Sequence, residues 1–183
     1  MKTAVFLANG YEEIEALTVV DILRRAKLVC DMISLEDELE TVGSHGIKVK
    51  ADCMISEIDF SEYDCMVLPG GKMGTQNLEA NQYLMKRLDE FYSRNKLICA
   101  VCAAPSILGH RGYLNGREAV SYPSFESELT GAVIPQKEVV RDGNIITSRG
   151  MGTSIAFAAE IVKAELGEET AEELLKTIVY KQF

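Results

Sequence analysis

The chain has 183 residues, 47% apolar and 26% charged, with a formal charge of −9. That length fits one domain over residues 1–183, and the balance is that of a globular protein, not a disordered one. An acidic chain without a Lys/Arg run has no footprint for nucleic acid, and the pair Arg24-Arg25 is too short to supply one.

Strand-like apolar runs alternate with longer helical patterns, the signature of a mostly parallel sheet with helices on both faces. Lys2–Ala8 reads as a buried first strand. It superficially resembles the start of a signal peptide, but the run stops at Asn9-Gly10 and leads into Glu12, Glu13 and Glu15. Glu12–Ala26 follows as a helix with an acidic first turn, and Val29–Leu35 as a second strand. Thr41–Ala51, with Ser44-His45-Gly46 inside it, reads as a hairpin. Asp64–Leu68 is a third strand ending in Pro69-Gly70-Gly71, Asn81–Arg94 an amphipathic helix, and Lys96–Val101 a fourth strand. A helix starts near Ala103–Pro105, where proline fits the first turn. From Leu114 to Thr147 the pattern breaks into short strands, with a hairpin turn at Asp142-Gly143 or Gly143-Asn144. Thr153–Glu165 and Glu168–Tyr180 are closing helices separated by Gly167.

No apolar stretch approaches the roughly 18 residues needed to cross a bilayer. Five cysteines, Cys30, Cys53, Cys65, Cys99 and Cys102, are scattered through apolar runs. An odd number so placed suits a reducing compartment, and a cytoplasmic location is expected.

Ligands of an open parallel sheet bind beyond the carboxyl ends of its strands. Three such ends stand out: Gly10 with the acidic cluster, Gly70-Gly71, and Cys102 followed by Ala103-Ala104-Pro105. If these strands are neighbours, the three features face one pocket. A cysteine between strand and helix is projected outward beside backbone N–H groups, the logic of a nucleophile elbow, and a helix N-terminus lowers its pKa. The alternative is that Cys102 is simply the last buried residue of a strand. Cys99-x-x-Cys102 is not a redox pair, because residues three apart in a strand point to opposite faces about 10 Å apart.

Only two histidines are available, His45 at the hairpin tip and His110 about 12 Å along the helix after Cys102. Neither placement suggests a Cys–His dyad. No histidine follows His110, so a downstream His-x-Glu pair of the class I glutamine amidotransferase kind is absent. Glu15 is then the interesting partner, since a protonated carboxyl can donate to a thiolate. The competing reading is that Glu12, Glu13 and Glu15 sit on a solvated first turn and compensate the helix dipole. Arg149-Gly150-Met151-Gly152-Thr153-Ser154 is either an anion-binding helix N-terminus or a turn with a Ser/Thr cap.

Gly10-Tyr11-Glu12-Glu13-Ile14-Glu15, Asp21-Ile22-Leu23-Arg24-Arg25-Ala26, Leu68-Pro69-Gly70-Gly71, Ala100-Val101-Cys102-Ala103-Ala104-Pro105 and Thr147-Ser148-Arg149-Gly150-Met151-Gly152-Thr153-Ser154 occur in that order. Together they resemble the ThiJ/PfpI superfamily, closest to its DJ-one branch, over essentially the whole chain. The resemblance implies a flavodoxin-like three-layer α/β sandwich, a homodimer, and neither cofactor nor metal. It implies an oxidation-sensitive Cys102 hydrogen-bonded to Glu15, an oxyanion pocket from the N–H groups of Gly71 and Ala103, and Arg25 reaching in from the partner subunit. The activities it implies are glyoxalase or deglycase, on a small carbonyl or a glycated protein, or a redox-sensing, chaperone-like role with Cys102 as a sulfinate. Two departures stand out. Tyr122 of Ser121-Tyr122-Pro123 occupies the place of the DJ-one branch's pocket histidine, and a phenol is a poorer general base than an imidazole. Ala103 occupies the place of the histidine that follows the cysteine in the protease-like branch.

Overall fold

The computed structural model describes residues 1–181. A seven-stranded sheet is built from β1 (Lys2–Leu7), β2 (Val29–Ser34), β5 (Cys53–Met54), β6 (Cys65–Leu68), β7 (Leu97–Val101), β8 (Val139–Asp142) and β9 (Ile145–Ser148). The strand order is β5-β2-β1-β6-β7-β9-β8, parallel except where β8 turns back antiparallel on β9. A separate antiparallel hairpin, β3 (Glu40–Val42) with β4 (Lys48–Lys50), is the excursion expected around His45.

The two-residue period of the strands splits the core into two layers. Phe6, Met66, Leu68, Ile98 and Ala100 face α2 (Lys72–Ala80), α3 (Gln82–Ser93) and α4 (Pro105–His110). Val5, Leu7, Cys65, Val67, Cys99 and Val101 face α1 (Glu13–Arg25), α5 (Ser154–Leu166) and α6 (Glu168–Thr177). Each central strand is apolar on both faces, which is why it reads as a continuous run instead of an alternation. Each Val or Leu buried in these layers contributes about 1.5–3 kcal/mol by leaving water. The result is the three-layer, flavodoxin-like α/β sandwich.

The structure departs from the sequence reading in three places. α2 was not expected: Lys72–Ala80 is short, contains Gly74, and buries only one large apolar side chain, Leu78, so no stripe announces it. β5 is two residues long and carries no periodic signal. Between Leu114 and Thr147 only β8 and β9 are strands, and the stretch from Pro123 to Glu128 is a 3₁₀ turn opened by proline. Gly143 and Asn144 form the tight turn between β8 and β9, where Asp142 pairs with Ile145.

Candidate active site

β1, β6 and β7 are adjacent in the sheet, so the three loops singled out by sequence do converge at one edge. Cys102 sits in the turn between β7 and α4 with φ +64, a left-handed conformation that costs a non-glycine residue of order 1–3 kcal/mol. Two backbone hydrogen bonds hold it there. Cys102 N–H donates to the Ser148 carbonyl at 3.0 Å, and Tyr122 N–H donates to the Cys102 carbonyl at 2.8 Å.

Glu15, the third residue of α1, is 1% exposed and lies against the thiol. Its Oε2 accepts a 2.9 Å hydrogen bond from Gly70 N–H. A side chain at residue 70 is excluded, because a Cβ there would stand 2.5 Å from both Cys102 Cβ and Glu15 Oε2. The N–H groups of Gly71 and Ala103 favour the thiolate form of Cys102. A Cβ placed on Gly150 would lie 3.6 Å from Tyr122 Cδ2, 3.8 Å from Glu15 Oε1 and 4.0 Å from Cys102 Sγ, so all three line one small space.

The electrostatics differ from the expectation of a simply acidified thiol. Burial pushes the Glu15 carboxyl up to about 7, against the hydrogen bonds from Cys102 and Gly70 that favour its anion. Burial, and then the neighbouring Glu15 charge, push Cys102 up to about 12, while the N–H groups of Gly71 and Ala103 pull the other way. α4 is only six residues long, a weak dipole against that burial. Two such groups in contact titrate as a pair. Between the two values the pair holds one proton and one negative charge, and passing that proton from sulfur to carboxyl makes a thiolate without moving charge out to solvent. Cys102 is partly exposed, so a ligand can meet it.

The other sequence-derived candidates fall as follows. Glu13 is also buried, its carboxyl held down to about 2 despite desolvation by the side chain and backbone of His45 and by Ser44. The acidic turn is therefore not the solvated dipole compensator of the plainer reading. His45 Nδ1 lies 2.9 Å from Glu13 Oε2, and His110 sits between Glu79 and Glu128 at 2.7 and 2.8 Å, so neither histidine partners Cys102. Among the described residues, Glu12, Glu13 and His45 are one group close enough to share a metal ion, but Glu13 and His45 are already bonded to each other and to Ser44. Arg25 lies at the far end of α1, about 15 Å along the helix from Glu15, and pairs with Asp21 at 2.6 Å. It does not reach the Cys102 of its own chain. Arg149 turns to Glu126 at 3.9 Å, and Thr153 Oγ1 accepts from Gly150 N–H at 3.1 Å, closing the short turn before α5 without capping that helix. Ser148, whose carbonyl anchors Cys102, lay within a quoted motif, but a carbonyl contact leaves no signature in residue type.

A model of the DJ-1/PfpI family matches residues 1–164. The chain belongs to that family. Protein DJ-1 homolog B of Arabidopsis thaliana is 37% identical over 93% of this chain but only 39% of its own length. This chain thus spans well under half of that plant relative. The Deglycase PfpI of Pyrococcus furiosus is 30% identical over 89% of this chain and 98% of its own. The structure of oxidized Toxoplasma gondii DJ-1 superposes with a TM-score of 0.94 at 33% identity, covering 98% of each chain. The family expected from the ordered motifs is thereby the family found, and its DJ-1 members are among the relatives.

Proposed function

We propose that this chain is a cofactor-independent, cysteine-dependent enzyme acting on small reactive carbonyls or their protein adducts, in the manner of a glyoxalase or deglycase. The observation that carries the reading is the Cys102–Glu15 pair, a buried carboxyl and a partly exposed thiol that line one small space. With a 2-oxoaldehyde, the Cys102 thiolate adds to the aldehyde carbon and the carbonyl electrons move to oxygen, which takes the Glu15 proton. The Glu15 carboxylate then removes the C1 hydrogen as a proton and returns it at C2, while the C1 hydroxyl proton passes to the C2 oxygen through the enediol, converting the hemithioacetal to a 2-hydroxy thioester. Water cleaves the thioester, releasing the 2-hydroxy acid and restoring thiolate and proton. No external oxidant is needed, because C1 is oxidised as C2 is reduced. Gly71 and Ala103 N–H groups stabilise the charge on sulfur and on the nascent oxyanion. Tyr122 lines the space without supplying a base at neutral pH. The test is lactate formation from methylglyoxal by wild type and Cys102→Ala. Equal rates in the two proteins end the proposal.

A second reading has its own support: Cys102 is accessible, and the similar Toxoplasma protein is described as oxidized. In that reading Cys102 is a redox sensor, in which two equivalents of peroxide convert the thiol to a sulfinate held by the protonated Glu15. Wild type lacking lactate formation yet acquiring a sulfinate at Cys102 would favour it.

For partners, we read a homodimer through α1. Exposed Ile14 and Ile47, with Leu17, Ile155 and Ile178, line an apolar groove of about 630 Å³ beside Asp21 and Arg25. Arg25 is then placed to approach the partner subunit. None of the described helices is long and apolar enough to cross a membrane. Five free cysteines suit the reducing cytoplasm as the location.

A further inference from the structure

α3 carries a second pattern beside its core stripe. Tyr83, Arg87, Glu90, Phe91 and Arg94 follow one another three or four residues apart, so they share one side of the helix and its C-cap. That side faces the 3₁₀ turn Phe60–Glu62, and with Lys96 at its end it encloses a pocket of about 340 Å³. Lys96 precedes β7 and Cys102 follows it, which puts the pocket at the opposite end of the sheet, about 20 Å from the thiol. The chemistry at Cys102 does not use it.

The charges of this pocket do not cancel. Three cations, Arg87, Arg94 and Lys96, face two carboxylates, Asp59 and Glu90, which leaves one positive charge on a chain whose net charge is −9. Among the described residues only Arg87 of the three has a carboxylate partner, Glu90, whose two oxygens accept from its Nη1 at 2.8 and 3.1 Å. Lys96 Nζ donates to the Tyr63 and Ser61 carbonyls, neutral partners that leave its charge and one N–H free. Asp59 is engaged through Oδ1 by the Ser61 N–H. One donor in this wall lacks an acceptor: Arg87 Nε is buried with no hydrogen-bond partner among the described residues. The other wall is aromatic. Phe60 and Tyr83 meet edge to face with centroids 5.7 Å apart, and Tyr83 is 44% exposed.

We propose that this pocket binds a small aromatic monocarboxylate, its carboxylate between Arg94 and Lys96 and its ring against Tyr83 and Phe60. One net positive charge matches a monoanion better than a phosphate monoester, which carries close to two charges at neutral pH. The planar fork of Arg94 fits a carboxylate with two parallel hydrogen bonds, and Lys96 adds its remaining N–H. The same carboxylate brings an acceptor to the wall that holds Arg87 Nε. A ring packs offset or edge-on against the exposed Tyr83. The volume of about 340 Å³ is near the lower end of small-molecule sites, roughly 300–1,000 Å³, and suits one ring with a short chain instead of a bare ion. Binding is non-covalent, and no bond is made or broken.

The test is isothermal titration of the intact chain with phenylacetate at low salt, with acetate, benzyl alcohol and phenyl phosphate as comparison probes. One phenylacetate per chain is expected in wild type and in Cys102→Ser. Acetate, which lacks the ring, and benzyl alcohol, which lacks the charge, should bind at least about tenfold more weakly. Arg94→Gln should weaken phenylacetate roughly 10–100-fold, and Tyr83→Ala about 2–10-fold. Circular dichroism identifies which variants fold. No saturable binding in wild type, binding lost with Cys102→Ser, or unchanged affinity in folded Arg94→Gln each overturns the proposal. Acetate binding as tightly as phenylacetate removes the ring's part and overturns it too, and phenyl phosphate binding tenfold more tightly makes this a phosphate site instead. If Arg94→Gln does not fold, wild type decides: affinity for phenylacetate must fall as salt is raised, and a salt-independent affinity overturns the site.

Discussion

Replacing Glu15 by Gln should make the protein more stable and less active, by amounts that follow from one titration. Glu15 ionises at about 7 in the folded chain and near 4.3 in an unfolded one. A carboxyl raised in this way binds its proton more tightly when folded, so it withdraws stability as pH climbs from about 4 to 7. Above that window the full cost applies, at most roughly 4 kcal/mol at 1.36 kcal/mol per decade. Gln keeps an acceptor for Gly70 N–H and carries no charge to bury. Urea unfolding should therefore show Glu15→Gln more stable than wild type at pH 8 and much closer to it at pH 4. The same substitution removes the proton carrier. In wild type, turnover and alkylation of Cys102 should rise through pH about 7, as the pair loses its first proton. In Glu15→Gln the thiol must ionise alone against burial, so the rise moves to alkaline pH, and turnover at neutral pH falls roughly 10²–10⁴-fold. A Gln variant with the wild-type pH profile, or no stability gain at pH 8, refutes the shared-proton argument.

Mild peroxide should place sulfenic or sulfinic acid on Cys102 before Cys30, Cys53, Cys65 or Cys99, because Cys102 is partly exposed with Glu15 against it to take its proton, whereas Cys30, Cys65 and Cys99 are buried; peptide mass spectrometry reads this directly. Gly70→Ala should separate Cys102 from Glu15, since the new methyl meets both at 2.5 Å, and cost about 1–3 kcal/mol of stability along with the activity. Light scattering at micromolar concentration should give a dimer, and Ile14→Glu on α1 should shift it toward monomer without changing the circular dichroism. Tyr122→His should raise glyoxalase turnover, since the residue lines the space beside Cys102 and an imidazole titrates near neutrality; an unchanged rate means Glu15 alone carries the proton.

Much of the fold was legible because its signals are local. Ala4–Ala8 and Leu97–Val101 are apolar on every residue, which only a strand covered on both faces requires, and the alternation with helices then dictates a parallel sheet. α3 announced itself through Leu84, Met85, Leu88 and Phe91 at helical spacing, with Asn81 accepting the Leu84 N–H as its cap. α2 did not, because it is held by contacts of Gly74 and Asn77 with the loop after β1, not by an apolar stripe of its own. The 3₁₀ turn after Tyr122 was also hidden: its residues bury little, and its position is set by the bond from Tyr122 to the Cys102 carbonyl.

The site was legible in position but not in electrostatics, and the reason is physical. That Cys102, Glu15 and Gly70-Gly71 meet follows from strand order, which sequence pattern constrains. The charge state of the pair follows from how deeply Glu15 is buried, and burial depends on the whole packed layer of α1 against α5. Three glutamates in one turn look alike in the sequence, yet the fold gives two of them opposite treatments. Glu13 is met by the His45 backbone and ring and stays ionised into strong acid, whereas Glu15 is met by one N–H and a thiol and holds its proton to about pH 7. The hairpin that carries His45 thus separates a structural carboxylate from a reactive one two residues away. Substituting His45 by Ala tests that division. Glu13 should lose its strongest partner, and stability should fall most above pH 4, where its depressed titration counts in favour of the fold. The alkylation profile of Cys102 should meanwhile stay centred near pH 7. A profile that moves with His45 would mean the two carboxylates are one electrostatic unit, and Glu15 would then owe its value to the hairpin and not to its own burial.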